Sequence, residues 1–242
     1  MKGAPVVFRF SVGQLLAGRR LLVISLLTAF PLVVPALLAA GSGRDPDGFT
    51  LDLFRALVLP VLLPVVALTF STSTLGAEVR DGTVVNLVLK PIPRPGILVA
   101  KYLAAVLATL LVLLPAVAAA HLLTARGLGS TPLLSGMLAA TTVATLTYCA
   151  LGVLLSLLFG RALLVGLAYA LLWEGALVSV APSASSLSVR GYAEGVLASI
   201  VARSGLDFSA RLGPLSATLL AVVVTLLALT LAVRRLERMD FR

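Results

Sequence analysis

The sequence predicts an all-α membrane protein with six transmembrane helices in a single transmembrane domain, residues 1–242. Three observations support this fold class: 60% of the residues are hydrophobic, 12% are charged, and the mean hydropathy is +1.10. Soluble domains carry roughly 25% charged residues, so this chain has too few polar groups to cover a surface in water. A lipid bilayer suits such a composition, and helices satisfy their own backbone groups within it.

Six apolar runs each approach or exceed the roughly 20 residues that a spanning helix needs. They occupy residues 21–40, 56–75, 102–123, 133–159, 162–181 and 214–233. The first run follows Arg19 and Arg20, and no convincing cleavage site comes after it. We therefore predict that this run is a retained span and not a removable signal peptide.

The 19 basic residues are divided unequally between the two sides of the predicted membrane. One side collects 13 of them, in the N-terminus, the loop after the second span, Arg161 and the tail, and the other side has 6. Because cytoplasmic loops carry the excess of Lys and Arg, both termini are predicted to be cytoplasmic. This topology accounts for the net charge of +9. No nucleic-acid partner is predicted, since nucleic-acid binders cluster basic residues on one face of a folded domain.

Two segments outside the spans mix apolar and polar residues. Residues 5–18 are predicted to form an N-terminal interfacial helix, with a solvated tail as the alternative. Residues 182–213 lie on the predicted outer face between helices 5 and 6. They are predicted to contain a re-entrant or interfacial helical segment, because the apolar spacing over residues 196–201 suits a helix that enters the leaflet without crossing. A seventh span is the alternative, but charged residues leave it only a short apolar core.

The longest cytoplasmic loop, residues 76–101, has the features of a short helix. Asp81 or Thr83 can cap its first turn. Its apolar side would consist of Val84, Leu87 and Val88. Three prolines then forbid its continuation: Pro91, Pro93 and Pro95. We predict a short, stiff cytoplasmic helix between spans 2 and 3, with an ordinary connecting loop as the alternative.

Several residues of this loop follow one another at characteristic spacings. Glu78 stands four residues before the pair Gly82 and Thr83, Pro91 follows eight residues after Thr83, and Arg94 and Lys101 come three and then seven residues later. In this order and spacing the loop resembles that of the ABC-2 type permeases, the membrane subunits of one class of ATP-binding-cassette exporter. The chain departs from the usual family pattern at Arg80, Val85 and Pro93.

The resemblance implies a coupling helix that sits in a cleft of a separate ATPase subunit. The residues that would couple to the ATPase are Glu78, Gly82, Thr83, Leu87, Pro91, Arg94 and Lys101. ATP and Mg would be bound by that partner, with no cofactor in this chain. Six spans resemble half of the membrane part of an exporter, so a second permease copy (a homodimer) or a related permease is expected. The expected location is a bacterial or archaeal cytoplasmic membrane, as a multi-pass protein.

The sequence lacks the residues that ATP hydrolysis and most other catalysis need. It has no Gly-x-x-x-x-Gly-Lys-Ser/Thr phosphate loop, and its only lysines are Lys2, Lys90 and Lys101. With one His, one Cys and no metal-binding motif, the chain is predicted to be a transport subunit and not an enzyme. One alternative is an ion-coupled secondary transporter, which would favour inverted repeats and several buried polar groups. The other is a membrane assembly factor that transports nothing.

Glu174 is the one acidic residue inside a predicted span. A charge at the centre of a spanning helix costs about 2.5–3.5 kcal/mol on insertion scales, so such a residue is a candidate for function. We predict Glu174 as a residue of the translocation path. The alternative is that it is protonated, hydrogen-bonded within the bundle, or close enough to the outer interface to reach water.

Overall fold

The computed structural model describes residues 4–16, 19–40, 45–80, 94–125, 130–177, 187–202 and 210–238. Within these residues the chain is helical almost throughout and forms no strand. Its α-helices are α1 (Ala4–Leu16), α2 (Arg19–Ala40), α3 (Pro46–Leu53), α4 (Leu63–Arg80), α5 (Arg94–Ala125), α6 (Thr131–Leu158), α7 (Ala162–Ala168), α8 (Val189–Val201) and α9 (Pro214–Arg238). A π-helical segment, Phe54–Leu62, joins α3 to α4, and a second, Tyr169–Leu177, continues α7.

Five helical stretches of the described residues are long and apolar enough to cross a membrane. They are Leu21–Ala39, Pro46–Thr74, Pro95–Thr124, Thr131–Leu158 and Pro214–Arg238. Each contains most or all of one apolar run predicted from the sequence. The all-helical, multi-pass architecture is thus confirmed, and five of the six predicted spans have a helix of sufficient length.

The fifth predicted span, residues 162–181, is not confirmed. Here α7 and its π-helical continuation contribute 7 and 9 residues, which at 1.5 Å per residue span about 24 Å. The hydrocarbon core is about 30 Å thick. The last residues of the predicted span, 178–181, lie outside the described residues. The structure therefore has a shorter apolar helix, Ala162–Glu174, where composition alone predicted a full span.

The second span begins about ten residues earlier than the sequence predicted. The Asp45 side chain accepts a hydrogen bond from the Gly48 backbone N–H at 2.9 Å, and Pro46 occupies the first turn, so the helix starts there. Both features are favourable at helix N-termini. Asp52 and Arg55, which come before the predicted start at residue 56, consequently lie within the continuous helical stretch.

Helix α6 lies at the centre of the bundle and packs against α4, α5, α8 and α9. Small residues allow these close approaches. A Cβ added at Gly152 of α6 would overlap the Ser71 hydroxyl of α4, and one added at Gly195 of α8 would lie 2.5 Å from the Ala217 Cβ of α9. Because lipid tails are as apolar as leucine, packing of small residues is a main source of helix association in membranes.

Helices α2 and α9 lie at the periphery of the bundle. Only 17% and 22% of their most apolar windows are buried, against 56% for each of the other three candidate spans. Their exposed side chains include large apolar ones such as Leu26, Leu38 and Leu215. Soluble monomers rarely expose apolar surface on this scale, so these faces suit contact with lipid or with another membrane helix.

Two of the three short helices predicted outside the spans fall on α1 and α8. Val7, Ser11 and Leu15 form the buried side of α1, which packs mainly against α5. Helix α8 has 13 residues, or about 20 Å, which is too short to cross a bilayer. That α1 lies in the interface and that α8 is re-entrant or interfacial stay predictions.

Candidate functional site

The residues predicted to couple to an ATPase belong to the segment between α4 and α5. Four of them, Gly82, Thr83, Leu87 and Pro91, lie outside the described residues, as does the predicted helix that contains them. Glu78 lies near the end of α4, and Arg94 is the first residue of α5. Lys101 is the member of the set whose side-chain environment the structure describes.

Lys101 connects the two helices that flank this segment. Its side chain is 2% exposed, and its Nζ donates a hydrogen bond to the backbone oxygen of Thr74 in α4 at 2.8 Å. A carbonyl oxygen has two lone pairs and can accept this bond beside its helical one. A buried ammonium group is costly unless it has such partners. The hydrogen bond therefore fixes the distance between the end of α4 and the first two turns of α5.

Helix α1 packs against the same part of α5. Val7 forms a small apolar cluster with Ile97 and Ala100, which lie in the first turns of α5, and Phe8 packs against it. Lys101 is the next residue after Ala100, the last member of this cluster in the sequence. Helix α1, the first turns of α5 and the part of α4 at Thr74 thus lie together near the predicted coupling segment.

Glu174 lies in the π-helical segment and is 4% exposed. Its Oε2 accepts hydrogen bonds from the hydroxyl of Tyr148 at 2.5 Å and from the backbone N–H of Arg190 at 3.2 Å. Its Oε1 accepts a hydrogen bond from the backbone N–H of Val189 at 2.9 Å. One carboxylate thus links the central helix α6 to the N-terminus of α8.

The N-terminus of α8 is capped by side chains from two places in the chain. The first N–H groups of a helix have no partner within it and favour a negative charge. Glu174 accepts from Val189 and Arg190, and the Ser188 hydroxyl oxygen accepts from Gly191 at 3.2 Å. Sequence reasoning singled out Glu174 but missed Tyr148 and Ser188. A serine before an apolar-periodic segment is a capping signal that the sequence did contain.

The contacts of Glu174 agree with a residue that is hydrogen-bonded within the bundle, and its membership of a translocation path stays a prediction. Tyr192, one turn into α8, lies near the same carboxylate. Burial, and then the nearby carboxyl group of Glu174, raise the pKa of the Tyr192 phenol.

A partly enclosed cavity of about 530 Å³ lies beside this network. Four aromatic residues contribute to its wall: Tyr148, Tyr169, Trp173 and Tyr192. The remaining lining is almost wholly aliphatic and comes from α4, α6, α7, α9 and the start of α8. The cavity could not be predicted from the sequence, because its walls come from residues up to 156 positions apart in the chain. Among the described residues no group of three or more His, Cys, Asp or Glu side chains could hold a metal ion.

Comparison with known proteins identifies the family. The search of curated proteins found no match to the chain. Residues 19–184, more than half of the chain, match the family described as ABC-2 family transporter protein. The match extends from α2 through the segment between α4 and α5 to the region after Glu174, and it agrees with the resemblance found in the loop at residues 78–101. The chain therefore belongs to the ABC-2 transporter family and is a membrane permease of an ABC transporter.

Proposed function

We propose that this permease exports an unidentified substrate across a cell membrane with energy from a separate ATP-binding-cassette ATPase subunit, which binds the ATP and Mg. The family match supports the transport role. The observation that carries the coupling proposal is the hydrogen bond between Lys101 Nζ and the Thr74 oxygen. This hydrogen bond joins α4 and α5, and the ATPase would contact the segment that connects these two helices.

The proposed coupling element is the segment between α4 and α5, with Gly82, Thr83, Leu87 and Pro91 in its short helix. Glu78 would orient the joint on the α4 side, and Arg94 and Lys101 on the α5 side. Because α4 and α5 are connected through a buried ammonium group, they would move together when the segment is displaced. A hydrogen bond to a charged group contributes about 1.5–3 kcal/mol, so this contact opposes separation of the two helices.

Helix α4 would carry such a displacement into the centre of the bundle. It packs closely on α6 at Ser71 and Gly152, and α6 in turn packs on α8 and α9. We propose Glu174 as a residue beside the translocation path. Its burial and its three hydrogen bonds support a role in positioning α8, next to the cavity, more than direct contact with a substrate.

A complete transporter would contain two such permeases, either two copies or one copy and a relative. The exposed apolar faces of α2 and α9 support burial against lipid or a second permease. Both termini and the coupling segment would lie in the cytoplasm, as the distribution of Lys and Arg predicts.

The test is to purify the chain in lipid nanodiscs, alone and together with a candidate ATP-binding-cassette ATPase, and to measure ATP hydrolysis with and without candidate substrates. We expect no hydrolysis from the chain alone and substrate-stimulated hydrolysis from the complex. Transport that proceeds without any ATPase and follows an imposed ion gradient would instead identify a secondary transporter.

A further inference from the structure

The cavity beside Glu174 has the size of a small-molecule site. Its volume of about 530 Å³ falls within the range of roughly 300–1,000 Å³ that is typical of ligand pockets. Leu68 of α4 and Leu151 and Leu155 of α6 form part of its wall, and Val165 of α7 faces them. Such a lining matches the chemistry of an apolar ligand.

Most of the polar atoms around the cavity are engaged by the protein, although the indole Nε1 of Trp173 is buried without a hydrogen-bond partner among the described residues. The Tyr148 hydroxyl donates to Glu174, and the Tyr169 hydroxyl donates to the backbone oxygen of Leu187 at 2.9 Å. The backbone N–H of Val189 donates to Glu174. A buried water needs two to four polar partners, and this wall offers mainly ring faces and methyl groups. Hydrocarbon is therefore a better occupant than water.

The route into the cavity also favours a molecule from the bilayer. Leu164 and Leu172 are neighbours in sequence of the lining residues Val165 and Trp173, and their side chains are 61% and 65% exposed. Leu187 lines the cavity and is itself 61% exposed. The exposed surface next to the cavity is thus apolar. A hydrocarbon chain can therefore enter the cavity laterally from the lipid without crossing water.

We propose that this cavity is a binding site for a single hydrocarbon chain of an amphipathic molecule. This hydrocarbon chain can belong to a phospholipid of the bilayer or to an amphipathic molecule that is being transported. For a cargo, the inference rests on the proposed transport function. The binding of a hydrocarbon chain as such does not rest on it.

The protein contains a natural fluorescent reporter of cavity occupancy, because Trp173 is the only tryptophan in the sequence and lines the cavity. Bromine atoms on a hydrocarbon chain quench indole fluorescence at contact. The experiment adds 9,10-dibromostearate to the full-length protein in nanodiscs of unbrominated phospholipid and records Trp173 fluorescence. A second preparation uses nanodiscs of dibrominated phosphatidylcholine with no added stearate. Plain stearate serves as the control for non-specific effects.

Two variants fill the cavity and one matched variant does not. Val165→Phe and Leu154→Phe add volume at lining positions of α7 and α6, and Leu26→Phe adds a phenyl ring at an exposed position of α2, a helix with no residue in the described lining. We expect saturable quenching by dibromostearate, with the half-quenching concentration raised about tenfold by each filling variant and unchanged by Leu26→Phe. Monodisperse elution of each variant establishes that it is folded, and either filling variant suffices for the comparison.

Each outcome decides the proposal. Saturable quenching by dibromostearate that the filling variants relieve supports the site and an amphipathic single-chain ligand. Quenching only in brominated phospholipid, relieved by the filling variants, supports the same site with the bilayer as its source. Quenching that does not saturate, or that is equal in all variants, would overturn the proposal, since Trp173 would then contact only bulk lipid. No ATPase is present, so a failure of the coupling proposal does not affect this result.

Discussion

At the scale of single residues, the sequence predicted that Glu174 is important but did not predict its hydrogen-bond partners. Its position in an apolar run marked it for attention, because intramembrane carboxylates are uncommon. Its partners could not be predicted: Tyr148 precedes it by 26 residues, and the other two donors are backbone groups of Val189 and Arg190. Backbone N–H groups have no side-chain signature, so only the fold shows which of them meet a carboxylate.

The first prediction concerns the stability that Glu174 provides. Glu174→Leu removes the acceptor of three hydrogen bonds, and each buried donor left without a partner costs about 1–3 kcal/mol. We expect a clearly lower thermal unfolding midpoint, by about 2–4 °C per kcal/mol for a chain of this size. Glu174→Gln, which retains one acceptor oxygen, should fall between this variant and wild type. The measurement is thermal unfolding of detergent-solubilised protein followed by size-exclusion fluorescence.

Glu194 offers the matched control for that experiment. Its Oε1 accepts from Arg190 Nε at 2.9 Å on the same helix, and both side chains are partly exposed. Pairs of this kind contribute about 0–1 kcal/mol, so Glu194→Gln should leave the midpoint nearly unchanged. If Glu174→Leu were as stable as Glu194→Gln, the carboxylate would not be what holds the N-terminus of α8.

At the scale of helices, sequence periodicity and length predicted most elements, but one helix begins earlier than predicted and one predicted span is not confirmed. The second span is extended by the cap at Asp45, which the apolar count did not consider. The fifth run ends in a π-helical segment, and its described part is too short to cross. Both differences arise because hydropathy measures where a chain is apolar, whereas helix ends are fixed by caps and by tertiary contacts.

The second prediction tests the contact between α4 and α6. Gly152→Val would force a side chain into the position of the Ser71 hydroxyl, between two helices that cannot separate without losing other contacts. We expect a large loss of monodisperse protein after solubilisation, because overpacking typically costs about 1–3 kcal/mol and sometimes more. Gly160→Val is the control, since a Cβ there meets nothing within 4 Å. Equal yields of the two variants would mean that α4 and α6 do not pack as described.

The third prediction concerns the proposed coupling helix. If Leu87 is an anchor in an ATPase cleft, Leu87→Asp should weaken assembly by roughly tenfold or more, since burial of a leucine contributes about 1.5–3 kcal/mol. Glu78→Ala should leave the complex assembled and lower transport-linked hydrolysis, because a charge beside the helix would orient the joint. Co-purification and substrate-stimulated hydrolysis are the two measurements. Wild-type values for both variants would remove this segment as the coupling element.

At the scale of the whole molecule, composition alone was enough to predict a helical, multi-pass membrane protein. The family was reached from spacings within the loop at residues 78–101, and the match over residues 19–184 confirms it. The cavity and the central position of α6 could not be predicted, because they depend on how the helices pack and not on how apolar each one is. The identity of the transported molecule could not be predicted for the same reason, since substrate selectivity depends on how the helices pack.

The fourth prediction concerns the arrangement of the chain across the membrane. The distribution of basic residues places the segment 76–101 and both termini in the cytoplasm, with residues 182–213 on the outer face. A cysteine introduced at Arg190, in a Cys149→Ala background, should react with a membrane-impermeant maleimide added to intact cells, and one at Arg94 should react only after permeabilisation. Labelling at Arg190 only from the inside would contradict this topology.

The hydrogen bonds between Glu174 and the start of α8 also affect the order in which contacts form during synthesis. A chain is made from its N-terminus, and its early parts fold first. When Glu174 emerges from the ribosome, Tyr148 has already emerged, but Val189 and Arg190 are still inside the exit tunnel. A chain truncated after residue 180 would therefore carry a carboxylate that lacks two of its three hydrogen bonds. About fifteen more residues have to emerge before Glu174 meets its two backbone donors, so the contact with Tyr148 can form before the contacts with α8.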